Sequence, residues 1–250
     1  MAVPYFRSVF ITGSNRGIGL EFVKQFLGLS NAPEFVFATC RSLQSESANE
    51  LQKLASKHSN LILLQLDVDD YEQLSKVASE VTAKLQGKGL NFLLNNAAIM
   101  NRQVIGEITP GEMARLYKTN TISPIMVTQA LLPLLKLAAK DPNDKSSPKA
   151  AIGYLSTDYV SSYYRQKRRP YPYTASKGAL TALVRPMQDD LEDDGIVVAA
   201  LDPGWVQTDM GGPKGHFTPQ ESVSGLMKSI ATISEDARKG MLGVKEMTPW

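Results

Sequence analysis

The chain has 250 residues, of which 43% are hydrophobic and 21% charged, as is typical of a globular protein with a buried core. Its 27 basic and 25 acidic side chains leave a net charge of +2, so no global positive field exists to attract nucleic acid or an anionic membrane. We therefore expect neither partner. One cysteine, Cys40, excludes an internal disulfide, and together with two histidines it does not make a metal site.

The N-terminus and the apolar runs carry no targeting or spanning signal. Met1–Arg7 lacks a basic stretch followed by a long apolar core, which a secretory signal would need. No uninterrupted apolar run reaches the ~18 residues that indicate a spanning helix. With a single cysteine, these features favour a cytoplasmic protein.

Short apolar runs alternate with amphipathic stretches along the whole chain. The predicted strands are Ser8–Thr12, Glu34–Thr39, Leu61–Leu66, Leu90–Asn95, Ala150–Leu155, Ile196–Leu201 and Gly240–Val244. The predicted helices are Ile18–Leu29, Ser47–Lys57, Tyr71–Leu85, Pro110–Ala139 (as two helices), Tyr173–Asp193 and Pro219–Ile233. Strands rich in Val, Ile, Leu and Phe without polar alternation are typical of strands buried on both faces. The pattern predicts a doubly wound, seven-stranded parallel sheet of the Rossmann type in one α/β domain, residues 1–250.

Two helix starts and one polar segment refine this organisation. Thr109-Pro110-Gly111-Glu112 and Thr218-Pro219-Gln220-Glu221 each fit a capping box with proline at the first helical position. The linker-like segment Asp141–Pro148 is too short to separate two domains. The chain is therefore interpreted as undivided.

A glycine-rich loop follows the first predicted strand. Thr12-Gly13-Ser14-Asn15-Arg16-Gly17-Ile18-Gly19 leads into the first helix, where backbone N–H groups can approach a pyrophosphate because side chains are missing. The spacing is not G-x-G-x-x-G, and a turn that needs glycine only for packing is the alternative. The position after the first strand of an alternating chain favours the nucleotide site.

The end of the second strand bears on which nucleotide binds. An acidic residue there would hold the ribose hydroxyl of NAD, whereas an arginine accommodates the 2′-phosphate of NADP. This chain has Arg41 and no acid, and Arg16 of the glycine loop can reach the same group. The pattern favours NADP(H) as the cofactor; Arg41 as an ordinary surface residue is the alternative.

A tyrosine and a lysine open the helix that follows the fifth strand. Tyr173 and Lys177 stand four positions apart, so they share one helix face with Cβ atoms ~5–6 Å apart. A neighbouring cation favours the phenolate, so we expect a lowered pKa for Tyr173 and proton transfer near neutrality. Alone, the spacing is also that of a surface pair.

Polar residues end the neighbouring strands, where ligands bind in open α/β sheets. Ser156 and Thr157 follow the fifth strand, and either hydroxyl can orient a carbonyl oxygen, or can simply end the strand. Asn95-Asn96-Ala97-Ala98 ends the fourth strand at the rim of the same edge.

Three further segments flank this edge. The basic cluster Arg165–Arg169 is interpreted as a solvated loop, with a charged rim of the site as the alternative. Aromatic residues in Tyr159–Pro172, namely Tyr163, Tyr164 and Tyr171, either stack on a ring or quinone or pack locally. Gly211, Gly212 and Gly215 suit a closing lid.

These motifs resemble, over nearly the whole chain and in the same order, the short-chain dehydrogenase/reductase family. The phrases Phe37–Arg41 and Thr208–Gly212, with a chain end at Trp250, resemble its carbonyl-reductase branch that includes the sniffer and C-factor proteins. The resemblance implies that Tyr173 donates a proton to a carbonyl and that Lys177 binds the nicotinamide ribose. It also implies that Thr157 orients the substrate, with Ser156 as the second candidate. Asn120 would hold the water of a proton relay. The cofactor-binding residues that the resemblance implies are Gly13, Ser14, Asn15, Arg16, Gly17, Ile18, Gly19, Arg41, Asp67, Val68, Asn96, Ala97, Ala98, Tyr173, Lys177, Pro203, Gly204, Val206 and Thr208.

The chain departs from the family pattern at three places. Thr157 replaces the usual second serine, and Ala98 replaces a glycine, so we expect a slightly altered turn there. Pro186 lies inside the helix that carries Tyr173, and we expect a kink. Many family members form dimers through this helix, so the resemblance implies a possible homodimer. A kink at Pro186 would disfavour pairing through this helix.

The expected activity is NADPH-dependent reduction of a small-molecule ketone, aldehyde or quinone. The first alternative is an epimerase or dehydratase that uses the nicotinamide transiently, although residues 205–250 leave little chain for its usual substrate domain. The second is a non-catalytic NADP-binding sensor.

Overall fold

Seven parallel strands form the centre of the computed structural model, which describes residues 5–163 and 169–249. They are β1 Ser8–Ile11, β2 Phe35–Cys40, β3 Leu61–Gln65, β4 Phe92–Asn95, β5 Ala150–Leu155, β6 Ile196–Asp202 and β7 Leu242–Gly243. Their order is β3-β2-β1-β4-β5-β6-β7, with every neighbouring pair parallel. The predicted fold class is confirmed, and most strand ends lie within one or two residues of the prediction.

Helices connect these strands. They are α1 Gly17–Leu27, α2 Asn49–Ala55, α3 Tyr71–Leu85, α4 Pro110–Tyr117, α5 Ser123–Lys140, α6 Tyr171–Leu191, α7 Pro219–Ala231 and α8 Ile233–Asp236. Two short 3₁₀ turns, Glu46–Ala48 and Asp158–Val160, precede α2 and follow β5. Because the strand order reverses between β1 and β4, the carboxyl ends of these strands border a crevice where ligands bind in such sheets.

The predicted division of Pro110–Ala139 into two helices is confirmed. A π-helical segment, Lys118–Ile122, joins α4 to α5. Asp69 fixes this segment, since its two carboxylate oxygens accept hydrogen bonds from the hydroxyls of Thr119 and Ser123, each at 2.6 Å. Single-turn π segments are common at functional sites, and this one carries Asn120.

Two apolar layers cover the sheet, one on each face. Side chains alternate along β1, so Phe10 joins Phe37 in a core with α3, α5 and α6. Val9 and Ile11 join Phe22 in the opposite core with α1 and α7. The sheet therefore holds its carboxyl edge, where the predicted site lies, between two packed helix layers.

The stretch Pro110–Lys140 contains an 18-residue window with a mean hydropathy of 1.5, so by length and composition alone it could cross a membrane. The prediction counted uninterrupted apolar runs and missed it. Val127, Leu131 and Leu135 of α5 are fully buried in the core. Packing against the sheet accounts for the buried part of this apolar stretch.

Helix caps and special residues differ in part from expectation. Thr218 and Glu221 form the complete capping box, whereas Thr109 only accepts from the Glu112 backbone N–H. The Glu112 carboxylate instead pairs with Arg115 at 2.7 Å. The α6 helix continues through Pro186, and the kink expected there stays a prediction.

Part of the predicted basic loop lies outside the described residues, namely Arg165 to Arg168, as does the aromatic Tyr164. The last member of the cluster, Arg169, donates to the backbone oxygens of Tyr159 at 2.6 Å and Ser161 at 3.2 Å. Arg169 therefore joins the start of α6 to the turn after β5.

Candidate active site

The glycine loop is built so that only glycine fits. Gly13 and Gly17 have φ values of +67° and +55°, the left-handed region that disfavours a side chain. A Cβ on Gly19 would lie 2.3 Å from the Gly13 carbonyl oxygen. The loop is thereby closed tightly over the start of α1.

Residues at the end of β4 hold this loop in place. The Asn96 side-chain amide donates to the carbonyl oxygens of Thr12 at 2.7 Å and Gly13 at 2.9 Å. The Thr12 hydroxyl accepts from the backbone N–H groups of Asn96 and Ala97, each at 3.0 Å. Ala98 is not among the residues with positive φ, so alanine is unstrained there. Asn96 thus acts on the loop that would meet the cofactor.

The start of α1 fits a phosphate group. No side chain caps its N-terminus, so the first backbone N–H groups are left to an anion. The hydroxyl of Ser14 donates back to Ile11 at 2.8 Å, and the amide of Asn15 donates to Ser47 at 2.8 Å. Their side chains are bonded within the protein and shape the loop.

Two arginines flank the position expected for the 2′-phosphate. Arg41 is exposed at the end of β2. Arg16 pairs with Asp209 at 2.6 Å, with side chains 59% and 76% exposed. The prediction did not foresee that pair, in which Asp209 would compete with a phosphate for Arg16.

The segment after β3 lies where the resemblance places the adenine. Val68 is buried with 8% exposure, and Asp67 accepts a hydrogen bond from the Asp69 backbone N–H at 3.1 Å. Its own N–H donates to Gln73 at 2.6 Å. The Asp67 carboxylate is thereby oriented at the carboxyl edge of the sheet.

Tyr173 and Lys177 lie on one face of α6, and both are buried, with exposures of 8% and 2%. The Lys177 Nζ donates to the carbonyl oxygen of Leu155, the last residue of β5, at 2.6 Å. Within the described residues, no hydrogen bond is recorded for the Tyr173 hydroxyl. That hydroxyl can therefore serve a substrate.

The expected lowering of the Tyr173 pKa is wrong for this protein structure. Burial, followed by the charges of Asp202, Tyr159 and Asp158, raises the pKa of Tyr173 well above its ordinary value. Burial also lowers the pKa of Lys177 to about 8. At neutral pH the phenol is therefore protonated, the form that donates a proton, and its lysine neighbour is a weaker base than usual.

The two hydroxyls after β5 point to different partners. Ser156 is 3% exposed, and its Oγ lies 2.5 Å from the hydroxyl of Thr181 in α6. Thr157 is half-buried, and its Oγ1 accepts a 3.3 Å hydrogen bond from Tyr159 and donates to Asp158 at 3.3 Å. Long contacts of this kind are weak, so Thr157 is the hydroxyl more readily turned to a substrate.

Asn120 is fully buried beside the catalytic helix. Its amide donates to Ile99 O at 2.8 Å and Ser176 Oγ at 3.0 Å, and its oxygen accepts from Ile99 N at 2.9 Å. Ser176, between Tyr173 and Lys177, donates in turn to the Tyr173 carbonyl at 2.8 Å. Both amide hydrogens are committed to protein acceptors, an arrangement that favours a positioning role for this side chain.

The segment after β6 folds over the glycine loop. Val206 forms a bridge with Phe217, and the Trp205 indole donates to Gly211 at 2.8 Å. A Cβ on Gly17 would lie 3.3 Å from Thr208, so this segment contacts the loop directly. Gly204, after Pro203, has a φ of +67°. The segment 203–218 thus covers the crevice.

Sequence reasoning missed Asp202, the last residue of β6. Its carboxylate is 6% exposed, and its charge reaches Tyr173. A charged residue directly after an apolar run, at the carboxyl end of a parallel strand, was the available signal. No group of three or more His, Cys, Asp or Glu side chains suited to a metal occurs in the described part of the chain.

Comparisons with known proteins agree with this geometry. A family model described as short chain dehydrogenase matches residues 7–218. The NADPH-bound carbonyl reductase from chicken fatty liver is 42% identical, with a TM-score of 0.91 over 98% of this chain and 99% of that chain. The carbonyl reductase Sniffer of D. melanogaster is 34% identical, with a TM-score of 0.92 over 98% and 100%.

Related sequences point the same way. An uncharacterized oxidoreductase of Schizosaccharomyces pombe is 35% identical over 80% of this chain and 74% of that protein. The C-signal protein of Myxococcus xanthus is 33% identical over 59% of this chain and 84% of that protein. With the family model covering most of its length, the chain belongs to the short-chain dehydrogenase family.

Proposed function

We propose that this protein is an NADPH-dependent reductase of a ketone, aldehyde or quinone, with Tyr173 as the proton donor. The observation that carries the proposal is the buried Tyr173 and Lys177 pair, which lies at the carboxyl edge of the sheet that also holds the glycine loop. The likeness to two carbonyl reductases, one NADPH-bound, supports it.

NADPH, when bound, supplies a hydride to the carbonyl carbon. Tyr173 would give its proton to the carbonyl oxygen, so that the carbonyl gains a hydride on carbon, which brings both electrons, and one proton on oxygen, and becomes an alcohol. A protonated phenol is required for this step, and burial together with nearby carboxylates keeps Tyr173 in that form. Thr157 orients the carbonyl oxygen, and Lys177 holds the cofactor ribose and returns a proton toward the phenol.

The positions of two arginines favour NADPH over NADH. Arg41 presents a guanidinium at the end of β2, and Arg16 lies beside the same crevice. A carboxylate at the place of Arg41 would repel a 2′-phosphate, whereas a guanidinium binds it through a forked pair of hydrogen bonds. Backbone N–H groups at the start of α1 would hold the pyrophosphate, and Asp67 and Val68 would flank the adenine.

The Tyr173→Phe variant tests the proposal. We expect it to lose most NADPH oxidation with a panel of para-nitrobenzaldehyde, menadione and a ketosteroid, yet still to bind NADPH. Tyr171→Phe is the matched control, because Tyr171 lies on the same helix and is 46% exposed. Near wild-type turnover by Tyr173→Phe would overturn the assignment of the proton donor.

The same assay separates the two alternatives. An epimerase or dehydratase would transform substrate without net NADPH consumption, and a sensor would bind NADPH without oxidising it. Residues after Trp205 form the segment over the crevice, α7, α8 and β7, and these elements complete the sheet and its helix layer.

Three further expectations are proposals of the same kind. We propose one reductase domain over residues 1–250, and a cytoplasmic location because a lone buried Cys40 suits a reducing compartment. We also propose a homodimer through α6, on which Leu183 is 41% exposed. A mass near the single-chain value in light scattering would overturn the dimer.

A further inference from the structure

Asp69 is a carboxylate that the proposed reaction does not use, although it lies between two parts of the candidate site. It is half-buried in the loop after β3, directly after Asp67 and Val68. Its backbone N–H donates to the Asp67 carboxylate at 3.1 Å. Its side chain contacts a different element, the π-helical segment Lys118–Ile122 and the first residue of α5. Asp69 therefore connects the residues proposed to flank the adenine with the segment that carries Asn120.

The Asp69 carboxylate forms a bridge between two hydroxyls near the ends of the π-helical segment. One oxygen accepts from the Thr119 hydroxyl and the other from the Ser123 hydroxyl, each at 2.6 Å. Thr119 is 7% exposed and Ser123 is fully buried, so water competes little for these hydroxyls. Hydrogen bonds from a hydroxyl to a carboxylate are short and roughly twice as strong as those between neutral groups. One side chain therefore holds the two ends of this segment in a fixed relation.

The π-helical segment needs such support because its conformation is rare. Its turn is closed by i→i+5 hydrogen bonds, so it holds one residue more than an α-helical turn. Pro124 has no N–H, so the α-type bond from position 124 to the Asn120 carbonyl cannot form. If the segment relaxed to an α-helical register, the residues before it would rotate by about 100° relative to α5, the angle of one residue. The position of Asn120 thus depends on the extra residue in this turn.

Two residues of the π-helical segment contact the helix that carries the proposed proton donor. The Asn120 amide donates to the Ser176 hydroxyl at 3.0 Å, and the Thr121 hydroxyl donates to the Ser176 carbonyl oxygen at 2.7 Å. The Ser176 hydroxyl donates in turn to the Tyr173 carbonyl oxygen at 2.8 Å. A continuous set of contacts therefore runs from Asp69 through the π-helical segment to the first turns of α6.

We propose that Asp69 is a positioning residue for Tyr173: its carboxylate bridge keeps the π-helical register, and that register holds Asn120 against α6. The inference rests on the proposed function, in which Tyr173 gives a proton to the carbonyl oxygen. Displacement of a reacting group by about 1 Å can cost about 100-fold in rate, even when the altered residue is far from the chemistry. The bridge, rather than the negative charge, carries this role.

The Asp69→Ala variant removes the bridge. With para-nitrobenzaldehyde at saturating NADPH, we expect kcat to fall about 10- to 100-fold, because α6 loses part of its support. The Kd for NADPH should stay at the wild-type value, since the backbone bond from position 69 to Asp67 is retained. An unchanged kcat would overturn the proposal, whatever the Kd.

Two further variants separate the bridge from other effects of position 69. In Asp69→Asn, the amide oxygen can accept from Ser123 while the amide nitrogen donates to the Thr119 hydroxyl, which can also accept. This variant should restore kcat to within a few-fold of wild type; a kcat as low as that of Asp69→Ala would overturn the bridge as the cause. If Asp69→Ala does not fold, Thr119→Val removes one donor and keeps the side-chain shape. It should still lower kcat, and an unchanged kcat in Thr119→Val would overturn the proposal.

Asp70→Ala is the matched control, because it removes the neighbouring carboxylate. Asp70 caps α3 by accepting from the backbone N–H groups of Glu72 at 3.1 Å and Gln73 at 3.0 Å. Loss of this cap should lower the midpoint of urea unfolding and leave kcat unchanged. Equal falls in kcat for Asp70→Ala and Asp69→Ala would attribute both to lost stability and overturn the proposal.

Amide hydrogen exchange without coenzyme or substrate gives a readout that does not depend on activity. Peptides that cover residues 118–123 and 173–177 should exchange faster in Asp69→Ala than in wild type, with α1 and β1 unchanged. Unchanged exchange at 173–177, or faster exchange over the whole chain, would overturn the proposal. If the wild type reduced no carbonyl of the panel, the proposed function would fail, whereas the exchange result would still decide whether Asp69 holds α6.

Discussion

The Lys177 ammonium donates to the carbonyl oxygen of Leu155 at 2.6 Å, which fixes the cation of α6 at the last residue of β5. The contact explains how a lysine that is 2% exposed can be held inside the protein. It also sets the Lys177 side chain at the carboxyl edge of the sheet, one helical turn from Tyr173. This position suits the proposed reaction but lowers the stability of the folded protein, because burial disfavours the charged ammonium. The same burial lowers the pKa of Lys177 to about 8.

Lys177→Met is therefore expected to abolish reduction and to stabilise the protein. Lowering the Lys177 pKa from 10.5 to about 8 costs the folded state about 3 kcal/mol at neutral pH. Losing the hydrogen bond to Leu155 offsets about 1 kcal/mol or more of the gain, so a net increase of about 1–2 kcal/mol in the free energy of unfolding is expected. Urea unfolding at pH 7 measures it.

The pH dependence of the same variant provides its control. The unfolded chain binds the Lys177 proton up to pH about 10.5, whereas the folded chain releases it from pH about 8. Wild-type stability should therefore gain a contribution as the pH rises through this window, and Lys177→Met should lack it. A variant that is less stable than wild type at pH 7 would contradict the calculation.

A second prediction separates the two hydroxyls after β5. Thr157→Val keeps the side-chain shape and removes the hydroxyl, so kcat/KM for carbonyl reduction should fall about 100-fold, as when one group that stabilises a developing charge is lost. Ser156→Ala should leave kcat nearly unchanged and lower stability by about 1 kcal/mol, because its 2.5 Å contact with Thr181 is internal. The reverse pattern would make Ser156 the substrate-orienting residue.

A third prediction concerns the cofactor phosphate. Arg41→Ala should raise the Kd for NADPH about tenfold or more, the value of one hydrogen bond to a charged group, and leave the Kd for NADH unchanged. Asp209→Asn should lower the Kd for NADPH a few-fold, because it releases Arg16 from an exposed ion pair of small energy. Nucleotide fluorescence titration measures both; equal effects of Arg41→Ala on the two nucleotides would contradict the NADP assignment.

Local patterns were sufficient for the architecture and for the backbone of the site. Apolar runs fixed the places of β1 to β6, and the need for glycine at positive φ marked Gly13 and Gly17. Helical spacing placed Tyr173 beside Lys177. These features depend on residues near one another in the chain, and such relationships can be inferred from sequence alone.

The features that were missed depend on distant residues. The raised pKa of Tyr173 depends first on the burial of this side chain and then on the charge of Asp202, which lies on β6, far along the chain. The Arg16 and Asp209 side chains are 193 positions apart, and the partners of Asn120 lie on two other segments. Spacing places side chains on a face, but it does not give their burial or the charges around them.

The last prediction concerns a buried ion-pair network at the opposite, amino-terminal edge of the sheet. Arg7, directly before β1, pairs with Asp141 at 3.1 Å and with the fully buried Asp144 side chain at 2.9 Å. Arg7→Met would leave the Asp144 charge without its cation, which should cost about 3–5 kcal/mol of unfolding free energy. Because Arg7 lies far from the carboxyl edge, kcat should stay unchanged in the folded fraction.

Arg185→Met is the matched control, since its exposed pair with Asp189 at 3.9 Å should change stability by less than about 1 kcal/mol. Equal losses in the two variants, measured by urea unfolding, would show that the buried network does not hold this edge together.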